Sequence, residues 1–167
     1  MSATTDLSRQ CHPSCLVCGS ERADGLGLRF ECHTDGSVSG KFHCSPIFQG
    51  YPDRLHGGVV AMLLDAGMTH CLFAQKIAGL TARLSIRYNH GVTLGIPALV
   101  RARIVDSESP LYYLESEVLQ NGQVCATAKA TFWDSACGEP VEGTMSESAE
   151  TSKNFFRTQG RSSHEPA

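Results

Sequence analysis

A single carboxylate, Asp65, lies in the middle of a long apolar segment. From residue 57 to about residue 77 almost every side chain is apolar or small, and no proline interrupts the run. The apolar residues fall on all sides of a helical wheel, so the segment predicts a helix that is buried on most of its surface. An ionised carboxylate in that setting is costly unless it is paired, neutralised or used chemically. The pattern therefore marks Asp65 as a candidate catalytic residue.

The same predicted helix begins with a cluster of backbone donors. His56, Gly57 and Gly58 stand at its start, and the glycines leave backbone N–H groups uncovered by side chains. Such groups carry a partial positive charge and suit an anion or a polarised carbonyl oxygen. A donor cluster and a buried acid on one helix together indicate catalysis.

Helix geometry limits how these groups can cooperate. Gly57 and Asp65 are eight residues apart, which separates them by roughly 12 Å along a helix axis. An aspartate side chain cannot bridge that gap, but two antiparallel copies of the helix can each bring an N-terminus to the other's carboxylate. His56 lies about half a turn out of phase with Asp65, which disfavours a His–Asp dyad within one chain. We therefore predict an active site shared between two subunits.

Three groups of motifs give the chain a resemblance to a known family. They are Phe48-Gln49-Gly50-Tyr51-Pro52 with Leu55-His56-Gly57-Gly58 and Leu63-Leu64-Asp65, then Thr81-Ala82-Arg83-Leu84-Ser85-Ile86-Arg87-Tyr88, and Cys15-Leu16-Val17-Cys18-Gly19 with Gly25-Leu26-Gly27-Leu28. Over residues 15–134 the chain resembles the hotdog-fold acyl-CoA thioesterases of the phenylacetyl-CoA-thioesterase-like group. The resemblance implies an α+β hotdog fold, in which a long central helix is wrapped by an antiparallel β-sheet.

The resemblance also implies roles for four residues around the helix. Asp65 corresponds to the family's general base or nucleophile. Gly57 corresponds to the glycine whose backbone N–H polarises the thioester carbonyl, and His56 shapes the turn before it. Thr69, one helical turn after Asp65, corresponds to a Ser or Thr that lies near the acid in some members.

Gln49 is the candidate replacement for a family residue that this chain lacks. Many members have Asn or Gln six residues before the histidine, where this chain has Gly50. Gln49, one position earlier, is therefore included among the catalytic candidates. A second departure follows Tyr88, where Asn89-His90-Gly91 replaces the family's common Tyr-x-x-Pro continuation. That difference mainly affects a loop.

The expected substrate-binding residues lie at the helix start and on the strand after the helix. They are Gly58, Thr81, Arg83 and Tyr88. Thr81 corresponds to a hydroxyl residue that in other members helps to position the water from the partner subunit. Arginines alternate along two predicted strands, which is typical of a solvated sheet face, although Arg also suits the phosphates of coenzyme A. These arginines are Arg83, Arg87, Arg101 and Arg103.

The resemblance implies hydrolysis of an acyl-CoA thioester to a free acid and CoA, with no metal or redox cofactor. It also implies a homo-oligomer, either a dimer or a dimer of dimers. Dehydratases share the fold, but their usual acid/His pairings do not occur here as recognisable motifs. A non-catalytic hotdog module that binds acyl-CoA is the alternative, because fold alone does not decide function. A buried Asp65 favours the enzyme, since a pure binder has no reason to bury a carboxylate beside a thioester.

Composition excludes several other classes of partner. The formal net charge is −3 and no basic block occurs, so nucleic acid and anionic membrane surfaces are poor candidates. No uninterrupted apolar run long enough to span a bilayer is evident, and residues 1–10 are polar rather than signal-like. We expect a cytoplasmic protein.

The eight cysteines raise the question of disulfides or a metal. Cys71 and Cys125 lie inside apolar segments, where a reduced cysteine behaves as a small hydrophobe. The spacing Cys11-His12-x-x-Cys15-x-x-Cys18 is the one arrangement that can hold zinc, with Cys32 and His33 as further candidate ligands. Because Cys-x-x-Cys occurs only once, the preferred expectation is no metal and a capping segment with free thiols.

The remaining elements follow from alternating polarity and turn residues. Strands are predicted over 26–32, 38–44, 81–88, 98–106, 112–119 and 124–133. Gly79 is predicted to stop the helix, and Asn121-Gly122 is a strong hairpin signal. One buried helix followed by a run of strands is the hotdog order.

The same patterns predict the domain organisation. Residues 1–14 are predicted to form a flexible leader and residues 15–134 the hotdog domain. Residues 135–167, which are rich in Ser, Glu, Thr, Gly and Pro, are predicted to form a flexible polar tail.

Overall fold

The computed structural model describes residues 3–135 and contains two α-helices and six β-strands within that range. The helices are α1 (Ala3–Cys11) and α2 (Gly57–Ala74). The strands are β1 (Glu31–Cys32), β2 (Val38–Phe42), β3 (Gly79–Tyr88), β4 (Ala98–Glu108), β5 (Leu111–Gln120) and β6 (Gln123–Asp134). A 3₁₀ turn at Pro46–Phe48 lies in the loop before α2. From residue 136 onward the predicted tail lies outside the described residues.

The long apolar segment forms α2, as predicted, but the helix ends earlier than the sequence indicates. Instead of continuing to about residue 77 and stopping at Gly79, it ends at Ala74, and Gly79 is the first residue of β3. Lys76 takes the left-handed conformation with φ 62°, and the N–H groups of Lys76 and Ile77 bond back to Phe73 and Leu72. This is the Schellman arrangement, formed here around lysine rather than glycine.

The six strands form one antiparallel sheet in the order β1-β2-β4-β5-β6-β3. The predicted hairpin joins β5 to β6, and both of its turn residues, Asn121 and Gly122, have positive φ, as a tight two-residue turn requires. Within the described sheet, β3 lies at one end and pairs only with β6. One long edge of the sheet is therefore formed by the strand that follows α2 directly in sequence.

The core lies between α2 and the sheet. Leu63, Leu64, Met68 and Leu72 of α2 are fully buried, and α2 packs mainly against β4 and β5. At Gly67 the helix approaches β4 so closely that a Cβ would lie 3.2 Å from the Cβ of Ala102. The fold is the predicted α+β hotdog, with a central helix wrapped by an antiparallel sheet.

By length and composition alone, α2 is apolar enough to cross a membrane. Two thirds of its residues, 67%, are instead buried inside the domain. The apolar surface that would face lipid in a membrane span faces the sheet here, so α2 is accounted for as a core helix.

The N-terminal segment differs in two ways from its expected form. Much of the predicted leader, residues 1–14, forms α1, which packs against α2. The strand predicted over 26–32 is reduced to Glu31–Cys32, because residues 26–28 bond instead to the backbone of Leu16 and Val17. This pairing ties the N-terminal turn to the core.

Candidate active site

Asp65 occupies the middle of α2, on a helix whose other residues at this level are buried or half-buried. Its carboxylate accepts a hydrogen bond of 2.9 Å from the hydroxyl of Thr81 on β3. Burial raises the pKa of Asp65, while the Thr81 hydroxyl lowers it by stabilising the charged form. A carboxylate that is partly desolvated, held by one donor and still reachable is suited to accept a proton or to attack a carbon.

His12, which follows α1, is a titratable neighbour of Asp65 that the sequence marks only as a candidate metal ligand. The two side chains interact electrostatically: a protonated His12 lowers the pKa of Asp65, and Asp65 raises that of His12. Burial has the larger effect on His12 and lowers its pKa overall. No sequence signal could have paired these residues, because the interaction depends on α1 packing against α2.

The start of α2 is capped by the histidine of the His-Gly-Gly motif. The Nδ1 atom of His56 accepts a hydrogen bond of 2.9 Å from the backbone N–H of Gly58. That bond fixes the turn and uses one of the donors at the helix start. The N–H of Gly57, at the first helical position, is one that an α-helix cannot pair internally. His56 therefore has the turn-shaping role expected of it, and the amide of Gly57 is the donor that suits a substrate oxygen.

Tyr88, at the end of β3, lies over this helix start. Its hydroxyl donates a hydrogen bond of 2.9 Å to the carbonyl of Gly57. A cavity of about 210 Å³ opens beside them, lined by Leu55, Gly57, Val60, Tyr88 and residues 89–92. Gly57 thus presents its backbone to a space that a small group can enter.

Gly50 explains one departure from the family pattern. A Cβ at this position would lie 3.1 Å from the Cα of His56 and 3.3 Å from its ring. The approach loop passes so close to the capping histidine that a side chain at position 50 would require His56 to shift by a few tenths of an ångström. Gln49 does not reach α2 through the contacts that the structure gives it: its side-chain oxygen accepts a bond of 3.4 Å from the backbone N–H of Asp53, within the loop.

The remaining predicted residues are placed as follows. Thr69 is buried, and its hydroxyl donates to the backbone carbonyl of Asp65 at 3.1 Å rather than to the carboxylate. Thr81 donates to the carboxylate of Asp65 in its own chain. Arg83 is exposed on β3, two residues beyond Thr81. The structure therefore pairs Thr81 with Asp65 and Tyr88 with Gly57. The hydroxyl of Thr69 bonds to the backbone of its own helix.

A concave surface of about 630 Å³ lies apart from these residues. It covers the face of the sheet away from α2 and is lined by side chains of β4, β5 and β6. Its charges are paired: Arg103 with Glu115 at 3.0 Å, Lys129 with Glu115 at 3.3 Å, and Arg101 with Glu117 at 3.8 Å. This surface has the solvated, charge-alternating character predicted for the arginines of β4.

The N-terminal turn brings together three groups that can bind a metal. One ligand atom each from His12, Cys15 and Cys18 lies within 4.8 Å of the other two. All the cysteines within residues 3–135 are free of disulfide bonds. Cys11-His12-x-x-Cys15-x-x-Cys18 is the spacing that the sequence offers for zinc, and the structure brings three of its four residues together.

Comparison with known proteins shows what part of the chain is similar to a known family. The sequence profile described as the thioesterase superfamily matches residues 53–127, which include α2, β3, β4 and β5. No curated protein matches the chain.

Three solved structures illustrate the likeness of fold. A thioesterase superfamily protein is 31% identical, with a TM-score of 0.66, over 70% of this chain and 61% of its own. The chain therefore spans about three fifths of that relative's length. A phenylacetic acid degradation-related protein from Ralstonia eutropha is 21% identical, with a TM-score of 0.63, over 76% of this chain and 98% of its own. A protein from Streptococcus mutans, solved with acetyl CoA bound, is 20% identical, with a TM-score of 0.60, over 64% of this chain and 87% of its own.

The profile match covers the helix that carries Asp65 and Gly57 and the strand that carries Thr81 and Tyr88. The fold match covers 70% and 76% of the chain in the first two of these structures. The chain has the hotdog fold of these structures, and its residues 53–127 match the thioesterase superfamily profile.

Proposed function

We propose that this protein is an acyl-CoA thioesterase, which hydrolyses a thioester to a free acid and CoA. The observation that carries the proposal is the Asp65–Thr81 pair: a half-buried carboxylate on an apolar helix, held at 2.9 Å by one hydroxyl and with its pKa raised by burial. The match of residues 53–127 to the thioesterase superfamily profile supports the reaction class.

The catalytic centre is proposed to form between two subunits. Along one α2, Gly57 and Asp65 are roughly 12 Å apart, so one chain cannot place both on one carbonyl. The contacts of β3 suggest how two chains can. Near the beginning of β3, Thr81 bonds to Asp65, and at its end Tyr88 bonds to Gly57.

An antiparallel pairing of two β3 strands solves this separation. Such a pairing sets the Thr81 end of one strand opposite the Tyr88 end of the other, and so brings Asp65 of each chain towards Gly57 of its partner. β3 is available for it, because within the described sheet it pairs only with β6. Leu80 and Tyr88 at its two ends are 52% and 54% exposed. A long edge strand with exposed apolar side chains is a natural site for pairing with a second copy.

The proposed chemistry divides between the two helix regions. The thioester carbonyl oxygen lies at the N–H of Gly57, where the helix start stabilises the negative charge that develops. Asp65 of the other subunit either takes a proton from water, whose oxygen then attacks the carbonyl carbon, or attacks that carbon itself. In both routes the C–S bond breaks and CoA leaves as the thiol once its sulfur is protonated. With direct attack, water then hydrolyses the acyl-enzyme.

Coenzyme A is the proposed carrier because of the structural relatives. Two of them, from Streptococcus mutans and Streptococcus pneumoniae, were solved with acetyl CoA and with coenzyme A respectively. In this chain Arg83 is the proposed phosphate contact, since it is exposed on β3 close to Thr81. Arg101 and Arg103 are weaker candidates, because they lie on β4, which β5 and β6 separate from β3.

The test is a panel of acyl-CoAs of different length and aromaticity, assayed by release of free thiol. Wild-type protein is expected to hydrolyse part of the panel, and Asp65→Asn to lose that activity while it keeps its far-ultraviolet circular dichroism. The matched control is Thr69→Val, which alters a hydroxyl on the same helix that does not touch the carboxylate. Tight acyl-CoA binding without turnover in the wild type would refute the enzyme and support the non-catalytic module.

A further inference from the structure

The turn between α1 and the core holds its cysteines in a fixed arrangement. The N–H of Cys15 bonds to the carbonyl of His12, and the N–H of Gly19 bonds to the carbonyl of Cys15 at 2.8 Å. A Cβ at Gly19 would lie 2.5 Å from the backbone nitrogen and oxygen of Cys15. Only glycine fits there, so the chain folds tightly around Cys15. Arg29 closes the turn by donating to the carbonyl of Cys18 at 2.8 Å.

The three side chains that converge in this turn have the spacing of metal ligands. The Nδ1 atom of His12 lies 3.8 Å from the sulfur of Cys18, and the sulfur of Cys15 completes a group within 4.8 Å. Zn–S and Zn–N bonds of about 2.3 and 2.1 Å in a tetrahedron place ligand atoms about 3.6 to 3.8 Å apart. Small side-chain rotations are enough to bring all three atoms onto one ion.

A second observation points into the same place. His70 of α2 is 5% exposed, and neither of its ring nitrogens has a hydrogen-bond partner among the described residues. Its ring lines a cavity of about 160 Å³ that is also lined by His12 and Cys18. Buried polar atoms without partners are rare and call for an unseen water or ion.

We propose that His12, Cys15 and Cys18 bind a zinc ion, and that its fourth position holds a water molecule in this cavity, hydrogen-bonded to His70. Two thiolates and one imidazole are the donor set that zinc favours. One occupied site accounts for the converging donors and gives a partner to one of the two unpartnered ring nitrogens of His70. A histidine that contacts a metal-bound water is a typical outer-shell group.

The ion would stabilise the packing of the N-terminal segment against the central helix. The His12 ring already lies edge-on to Phe73 of α2, with centroids 4.9 Å apart. Metal ligation through Cys15 and Cys18 would fix that contact and hold α1 on α2. The role is structural and does not depend on the thioesterase proposal.

The first test measures metal on the full-length protein, purified under reducing conditions. We expect about one zinc per chain, and we expect added Co²⁺ to produce the thiolate-to-cobalt charge-transfer absorption of a tetrahedral site. Cys15→Ser, Cys18→Ser and His12→Ala should each lose the zinc and weaken the cobalt spectrum. Cys11→Ser is the matched control, because Cys11 is adjacent but exposed and outside the three-atom group, and it should keep both.

The second test addresses His70. His70→Phe keeps a ring between Phe30 and Phe73 but removes the contact to the bound water. It should retain one zinc site and bind Zn²⁺ about 10- to 100-fold more weakly in a chelator competition. An unchanged zinc affinity would remove His70 from the proposal.

Three results would overturn the site itself. One is wild-type protein that contains no tightly held zinc and gives no charge-transfer absorption with Co²⁺. Another is zinc that persists in Cys15→Ser and Cys18→Ser, or that is lost equally in Cys11→Ser. The third is a Cys15–Cys18 disulfide in freshly purified reduced protein, detected by thiol counting and mass spectrometry. Because the spectra are read on wild-type protein, misfolding of a variant does not obscure the answer.

Discussion

Two subunits with different active-site defects should together regain activity if the active site is shared. One carries Asp65→Asn and lacks the acid. The other carries Gly57→Val, whose branched side chain covers the backbone donor. A Cβ at Gly57 would lie 3.8 Å from the Tyr88 ring, so the first carbon fits and the added methyl groups fill the space beside it.

The expected magnitude follows from counting composite sites. In a heterodimer one site receives both substitutions and is inactive, whereas the other combines native Asp65 with native Gly57. A symmetric dimer has two such sites, so a purified heterodimer should have about half of the wild-type turnover. If both groups acted within one chain, each subunit would carry one defect and the heterodimer would be inactive.

The assay uses two affinity tags and sequential purification, so that only heterodimers are measured. Acyl-CoA hydrolysis is followed by thiol release, and each variant paired with itself provides the baseline. Verified heterodimers that are no more active than either homodimer would refute the shared site. A monomer with full activity by analytical ultracentrifugation would do the same.

Three further changes test individual contacts. Asp65→Asn should lower turnover by about a hundredfold or more, as loss of a general base does, whereas near-native thioester hydrolysis would remove Asp65 from the mechanism. Thr81→Val removes the hydroxyl that lowers the pKa of Asp65, so that burial, which raises this pKa, is opposed only by His12. Because the reaction needs the ionised acid, the acid limb of the kcat/KM profile should move to higher pH. Thr69→Val, whose hydroxyl bonds only to the backbone, should leave that limb in place, and an equal movement in both variants would contradict the assignment. His56→Ala should reduce stability by about 1 kcal/mol through loss of the N-cap, and His56→Asn, which can cap the helix, should restore both stability and turnover; failure of Asn to restore turnover in a stable protein would give His56 a direct chemical role.

The main elements could be predicted because each had a strong local signal. The apolar run indicated α2, and the Asn121-Gly122 turn indicated the β5–β6 hairpin. The errors occur where long-range contacts replace local signals. Residues 26–28 alternate in polarity as a strand does, but they bond to the backbone of Leu16 and Val17. The helix α2 ends at Ala74 because Lys76 takes the left-handed conformation, and Gly79 has no part in its end.

The candidate site could be predicted in part. Asp65 and the capping residue His56 were evident from one short stretch of sequence, and the structure adds Thr81 as the donor to the acid. Thr69 has the right helical spacing from Asp65, but in a helix a buried threonine hydroxyl commonly bonds to the carbonyl one turn earlier, as it does here. The approach of His12 to Asp65 had no sequence signal, since it depends on α1 packing against α2.

The edge strand β3 links the two halves of the proposed reaction. In one chain it holds the acid at one end and shields the helix start at the other, yet it leaves Thr81 and Tyr88 exposed. A second copy paired along β3 would exclude water from both ends at once. Burial is the largest cause of the raised pKa of Asp65, so the exclusion of water by assembly should raise it further, whereas the positive helix start of the partner subunit should lower it. Dimer formation would then complete the geometry of the site and tune its acid in the same step, which gives a physical reason for the acid and the donors to lie too far apart to act within one chain.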